Sequence, residues 1–405
     1  MNDFFEIDNC EVCGSANLTP VLDLNSHPMC DDLIPIGIEE QNKKFPIEIL
    51  FCKNCSTAHQ RYQIPKKSLF PLTYHYRSRF TADVLTGMTA LTDSVVKKIG
   101  PVDGLVVLDV GCNDGSLLDK FMAKGAKTIG IEPTGAYIDA EGRGHVIIND
   151  FFTETSAKKI IESQTRVDII TFTNVFAHIE NLPTLLKALS FLMNDDTVLV
   201  IENHYLGAVF SRNQFDTFYH EHPRTYSLLS FIHIAKTLER KVINVEFPQR
   251  YGGNIRVMIG NARNITPEVT SSIEMLLKEE SGFLEQFISM RLYINSWKKE
   301  KRSEIDSVIR EHGKIVAKAF PGRAAILVEL LGLTENEVEC VYEKPGSLKI
   351  GHYLPGTRIP IRSDNELFER INSIKVLLNL AWHIPKEIEN YLRENGYTGR
   401  LIHVV

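Results

Sequence analysis

The chain has 405 residues, 43% of them hydrophobic and 24% charged, with a net charge of −6. That length exceeds what one hydrophobic core organises and calls for two or three domains, and the acidic balance argues against a protein whose main task is gripping nucleic acid. No apolar run approaches the roughly 20 residues needed to cross a bilayer, and the opening Met-Asn-Asp-Phe-Phe-Glu has neither a basic n-region nor an apolar h-region, so a cytoplasmic protein that stays out of membranes is expected.

Residues 1–75 read as a first unit. Four of the seven cysteines form two tight pairs, Cys10-x-x-Cys13 and Cys52-x-x-Cys55. In a reducing compartment such pairs suggest metal ligation before disulfides. Two thiolates on each tight turn point the same way, and two turns complete a tetrahedral Zn²⁺ site. A closed four-sulfur site leaves no position for substrate, so its work is to fold a segment too small to hold itself. His27 and Cys30 lie between the pairs as alternative ligands, but the two-plus-two thiolate set is already complete, so His27 reads better as a neighbour of the site or a contact to substrate; iron–sulfur or redox readings are minor alternatives. An aromatic and basic stretch, Leu69 to Arg77, then leads into a helix near Ser78 to Ile99. Within it Tyr76 reads equally as a cover over a cofactor or as plain packing.

The central domain, 76–262, is arranged around Leu105-Val-Val-Leu-Asp-Val-Gly-Cys-Asn-Asp-Gly-Ser-Leu-Leu118. A short apolar run breaks at Gly111 and Gly115, and Leu117, Leu118 and Phe121 resume at helical spacing, which is the pattern of buried strand, glycine turn and helix. Glycine lets the backbone approach a ligand, and free amides at a helix start suit a polar or anionic group. The turn Gly111-x-Asn113-Asp114-Gly115 lacks the third glycine of a dinucleotide fingerprint and the Gly-Lys-Ser/Thr of a phosphate loop. The second apolar run, Lys127 to Ile131, ends in Glu132, about 20 residues on, where a carboxylate can accept both hydroxyls of a ribose. This pairing resembles the nucleoside site of class I S-adenosylmethionine-dependent methyltransferases.

Three further apolar runs end in polar residues: His145 to Ile148 before Asp150 and Phe151, Val167 to Thr173 before Asn174 and His178, and Val198 to Ile201 before Glu202 and His204. A doubly wound α/β sheet keeps its site at such carboxyl ends. By position in the methyltransferase pattern, Asp150 would hold the adenine amino group and Phe151 would stack on the base, with core filling as the competing reading for Phe151. Asn174 to His178 would line the methionine end and the substrate mouth.

The strongest chemical signal follows: Asp216-Thr-Phe-Tyr219-His220-Glu221-His222-Pro-Arg224-Thr-Tyr226. Two imidazoles, a carboxylate and a phenol fall within four residues. His-x-His supplies two metal ligands with only Glu221 near, and it is not the His-Glu-x-x-His spacing of a zinc hydrolase. Acid–base chemistry suits these groups better: an imidazole titrates near neutrality, a carboxylate can fix its tautomer, and a phenol can donate to a developing oxyanion.

The order of motifs makes the resemblance specific. Two Cys-x-x-Cys pairs, Asp-Val-Gly-Cys-Asn-Asp-Gly, Asp-Thr-Phe-Tyr-His-Glu-His, Tyr251-Gly-Gly-Asn-Ile-Arg256, then Lys349-x-Gly351-x-x-x-Pro355-Gly-Thr-x-Ile-Pro360 and Leu380-Ala-Trp382, are similar to the C-methyltransferases of nucleotide-activated keto-deoxyhexoses over nearly the whole chain. The resemblance implies S-adenosylmethionine and Zn²⁺ as cofactors and a dTDP- or GDP-linked 4-keto sugar as substrate. It further implies methylation at C3 through an enolate, with His222 as base, Tyr219 as donor to the enolate oxygen, Glu221 as the orienting group, and His178, His220 and His204 able to share these roles. His220 is expected to turn away, because neighbours on an extended chain alternate faces. The rivals are an O-methyltransferase, a binding protein without turnover, and a nucleic-acid methyltransferase, the last opposed by the acidic charge.

Residues 263–311 read as a charged helical connector and 312–405 as a second, smaller α/β domain, with apolar runs at Ala325 to Leu331, Glu339 to Tyr342, Lys375 to Leu380 and Leu401 to Val405 and a helix near Pro385 to Asn395. Relatives usually carry a glycine–alanine turn ending in lysine here. This chain has Lys318-Ala-Phe-Pro-Gly-Arg323. The chain is expected to act as a monomer or homodimer, without nucleic acid or membrane partners.

Overall fold

The computed structural model describes residues 3–70, 77–80, 82–163 and 166–405. The chain divides into two compact units, one of Met1–Val21, Ile49–Arg212 and Glu221–Gln286, the other of Leu22–Glu48, Asn213–His220 and Phe287–Val405. Among the described residues no helix is long and apolar enough to cross a membrane.

The first unit is built on seven strands: β1 (Val106–Val110), β2 (Lys127–Ile131), β3 (Val146–Ile148), β4 (Ile169–Thr173), β5 (Val198–His204), β6 (Lys241–Glu246) and β7 (Asn254–Gly260). Their order across the sheet is β6-β7-β5-β4-β1-β2-β3. β1 to β5 pair in parallel, and β7 runs antiparallel to both of its neighbours. The continuous apolar run of β1 is explained by burial on both faces, where Val107 and Leu108 are wholly enclosed. Helix Ala82–Ile99 lays Val84, Met88, Leu91 and Val95 against one face, together with Leu117 and Phe121 of helix Ser116–Met122. The order reverses between β1 and β4, and this is the crevice at which a doubly wound sheet receives its ligand.

The cysteine knuckles belong to the same unit. The arm Ile49 to Cys52 pairs antiparallel with strand Thr57–Gln60, which in turn pairs with the two-residue strand Arg224–Thr225 in the register Arg224↔His59. That last strand comes directly after the histidine-rich stretch.

The second unit holds five parallel strands, β8 (Ile315–Lys318), β9 (Val338–Glu343), β10 (Ile361–Ser363), β11 (Val376–Asn379) and β12 (Arg400–His403), ordered β10-β9-β8-β11-β12. The apolar run at Ala325 to Leu331 is a helix, Ala324–Leu331, and the central strand of the sheet is β8. Apolar patterning passes over β8 because it is only four residues long and ends in a buried lysine, Lys318, whose charge is met by Asp364 at 2.9 Å. The segment 263–311 forms helices Pro267–Glu280 and Phe283–His312. Residues of the 22–48 segment fasten to the second unit: Arg358 donates to the carbonyls of Ile38, Glu39 and Glu40, and Asn42 Oδ1 accepts from the Gly356 amide.

Candidate active site and metal centre

The glycine turn after β1 requires left-handed backbone at Gly111 (φ +72°) and Gly115 (φ +79°), and a Cβ added at Gly111 would lie 2.6 Å from Val175 Cγ2. The turn is locked by carboxylates. Glu132, at the end of β2, accepts from the Asn113 amide at 2.9 Å with one oxygen and from Thr134 N and Oγ1 at 2.8 and 2.6 Å with the other. Asp114, fully buried, accepts from Ser116 and from the Arg79 amide, while Asn113 Oδ1 accepts from the Ser78 amide. Beneath the turn, burial pushes the Asp109 carboxyl up to about 7, with the Glu132 charge adding to the shift and the Thr171 hydroxyl, 2.6 Å away, opposing it.

At the end of β3 Asp150 is exposed, and Phe151 is half-buried with the Lys66 ammonium 4.3 Å over its ring. Core filling falls instead to Phe152, edge-on to Phe172. Asn174 adopts φ +54° just beyond β4, and its side-chain oxygen accepts from Asn254 at 3.1 Å. Asn254 also donates to Glu202, a wholly buried carboxylate that Arg250 and Arg256 neutralise. Tyr76 lies outside the described residues.

The short 3₁₀ helix Phe176–His178 presents His178. Its Nδ1 lies 2.6 Å from the Glu221 carbonyl. A carbonyl can only accept, so Nδ1 carries the hydrogen, and burial lowers the His178 pKa below its ordinary value. The ring is neutral near pH 7, with its lone pair on Nε2. The His222 ring lies 4.9 Å from the His178 ring and 5.3 Å from that of His204, at the end of β5. Three imidazoles therefore meet at the carboxyl edge of the sheet, although His178, His204 and His222 are far apart in sequence. Glu221 and His222 are buried within the first unit, whereas Tyr219 and His220 belong to the second. His220 Nε2 donates to the Phe45 carbonyl at 3.1 Å, and burial brings its pKa down to about 4.

In the metal centre the Sγ atoms of Cys10 and Cys55 are 3.4 Å apart, those of Cys13 and Cys52 are 3.6 Å apart, and all four fall within 4.8 Å of one another. Tetrahedral Zn²⁺ with bonds of about 2.3 Å demands sulfur separations of roughly 3.8 Å, so the donor set fits. His27 is engaged with the Leu24 carbonyl, and Cys30 belongs to the second unit. His59 Nε2 approaches Cys10 Sγ at 3.3 Å, a contact absent from the sequence reading.

Residues 77–243 match the methyltransferase domain family, 249–405 the C-methyltransferase C-terminal domain family and 10–70 a zinc binding domain family. Across 410 aligned residues the chain is 29% identical to C-methyltransferase NovU of Streptomyces niveus, covering 98% of this chain and 95% of that one. The chain is an S-adenosylmethionine-dependent C-methyltransferase that carries a zinc binding domain. A ubiquinone biosynthesis O-methyltransferase of Rhodopseudomonas palustris is similar over 109 residues only, at 28% identity, covering 26% of this chain and 42% of the relative. Magnesium protoporphyrin IX methyltransferase of Synechocystis, solved with bound SAH, is 15% identical, with a TM-score of 0.35 over 44% of this chain and 84% of its own. In this C-methyltransferase the methyl donor is S-adenosylmethionine and the metal is zinc; the left-handed turn of residues 111–115 and the four-thiolate cluster are the parts of the chain that fit them.

Proposed function

We propose that this C-methyltransferase methylates C3 of a nucleotide-diphosphate 4-keto-deoxysugar, with dTDP as the preferred nucleotide and GDP as the second. S-adenosylmethionine, when bound, supplies an electrophilic sulfonium methyl. A carbon nucleophile must come from the acceptor, and a sugar forms one only beside a carbonyl: the C4 ketone acidifies the C3 hydrogen, a base removes it, and the negative charge spreads onto the ketone oxygen.

His222 takes the C3 proton, Tyr219 donates to the enolate oxygen, and Glu221 orients them. His178, whose Nδ1 is committed to the Glu221 carbonyl and whose burial disfavours the charged form, is the second imidazole able to share the proton transfer. The donor would rest on Gly111, Asn113, Asp114 and Gly115, with Glu132 at the ribose, Asp150 and Phe151 at the adenine, and Tyr76 and Asn174 toward the methionine end. The observation that carries the reading is the pair of imidazoles 4.9 Å apart at the carboxyl edge of the sheet, in a chain of C-methyltransferase family. The reading includes a cytoplasmic enzyme acting as monomer or homodimer.

The test is incubation with S-adenosylmethionine and a panel of dTDP-, GDP- and UDP-linked 4-keto sugars, read by mass spectrometry, beside deuterium uptake at C3 in heavy water without the methyl donor. Methylated product with uptake at C3 supports the reading. Methylation at oxygen without uptake replaces it by O-methyl transfer, the activity in the names of the partial relatives.

A further inference from the structure

Two charged side chains that the chemistry above does not use, Glu11 and Arg224, link the first cysteine knuckle to the imidazole pair. Glu11 sits between Cys10 and Cys13, and Arg224 stands two residues after His222 with no exposed surface. Arg224 Nη1 donates to Glu11 Oε2 at 2.5 Å, and Arg224 Nε donates to the Tyr226 hydroxyl at 2.9 Å. The Tyr226 hydroxyl in turn donates, at 3.4 Å, to the carbonyl of Phe176, the first residue of the 3₁₀ helix that ends in His178. From the other side, His59 pairs across from Arg224 and touches Cys10 Sγ, and the Gln60 amide donates to the Pro223 carbonyl at 2.8 Å.

We propose that Arg224, held by Glu11 and relayed by Tyr226, is a positioning residue that sets the separation of His178 and His222, and that the zinc knuckle is its anchor. The proposal rests on reading those two histidines as the acid–base pair. A guanidinium is planar and donates along two fixed directions at once, so it fixes an angle as well as a distance. Here one direction ends on the metal-binding turn and the other, through Tyr226, on the backbone that carries His178. His222 is two residues upstream of the same arginine. Both imidazoles are therefore referenced to a single buried group, and the catalytic loop inherits the rigidity of the metal site without touching the metal. This gives the zinc domain a role beyond folding its own segment.

Tyr226→Phe removes only the hydroxyl of the relay, and Arg224→Lys keeps the charge beside Glu11 while losing the second donor direction. Both are made in the full-length, zinc-loaded protein labelled with ¹⁵N-histidine. Zinc content and S-adenosylmethionine affinity stay at the wild-type level, while the ring resonances of His178 and His222 shift and that of His312, in the second unit, does not. With a competent acceptor, kcat falls by about 10- to 100-fold, the range of groups one step removed from the reacting site, and KM is unchanged. Imidazole resonances that stay in place in both variants overturn the proposal. If Arg224→Lys fails to fold, Tyr226→Phe decides alone. The spectra need no acceptor, so failure of the keto-sugar assignment leaves this test intact.

Discussion

The imidazole rings of His178 and His222 lie 4.9 Å apart, and the same His178 donates from Nδ1 to the carbonyl of Glu221, the residue before His222. The two rings are thus coupled through one peptide unit as well as through space. That bond settles the tautomer of His178 and leaves its other nitrogen as an acceptor. Replacing His222 by Ala should abolish both methylation and exchange of the acceptor C3 hydrogen, a loss of about 10² to 10⁴ for a well-placed base. Exchange that persists in His222→Ala while methylation is lost would move the base to another residue.

His220, two residues before His222, makes a different contact. Its Nε2 hydrogen goes to the Phe45 carbonyl, and burial holds its pKa at about 4 against an ordinary 6.5. Between those values the unfolded chain binds a proton that the folded chain refuses. Stability is therefore complete above pH 6.5 and falls as the pH drops toward 4, by about 3 kcal/mol in all. His220→Gln keeps an amide donor for Phe45 and cannot titrate. Denaturant melts of the two proteins from pH 7.5 to 4.5 should show a shallower acid slope in the variant, and equal slopes would refute the assignment.

Gly111 offers a test of the turn. Alanine there would hold φ at +72° and meet Val175 at 2.6 Å. Left-handed strain of about 1 to 2 kcal/mol adds to an overpacking cost of about 1 to 3 kcal/mol. Gly111→Ala should lower the melting temperature and weaken S-adenosylmethionine binding measured by calorimetry. A variant with wild-type affinity would show that the ligand does not approach this backbone.

The four-thiolate cluster predicts its own dependence on metal. Cys55→Ser should lose zinc by elemental analysis and expose the strand Thr57–Gln60 to hydrogen exchange, because binding free energy at such a site is folding free energy. Cys112→Ser, outside the cluster and packed against Gly130, should keep its zinc. Retention of metal by Cys55→Ser would point to a different donor set.

Much of this molecule was legible along the chain. The apolar run before Gly111 is strand β1, the run from Lys127 to Ile131 is β2 residue for residue, and the paired Cys-x-x-Cys turns converge on one point. Each of these is a local pattern: a strand buried on both faces needs consecutive apolar side chains, and a knuckle needs its two thiolates within one turn. The missed strand β8 is the complementary case, since Lys318 is buried only because Asp364, 46 residues away, accepts its charge.

What the chain by itself determined, then, was where strands begin, where the backbone must turn left-handed and where two thiolates share one turn, because these depend on neighbours within a few positions. Tertiary structure alone decided which of the histidines meet: that His204 joins His178 and His222, that His220 turns to Phe45, and that Glu11 reaches Arg224 across 213 positions. Those choices follow from strand order and register, which are set by long-range pairing and by the need of every buried charge for a partner, and neither is written in any short stretch of sequence.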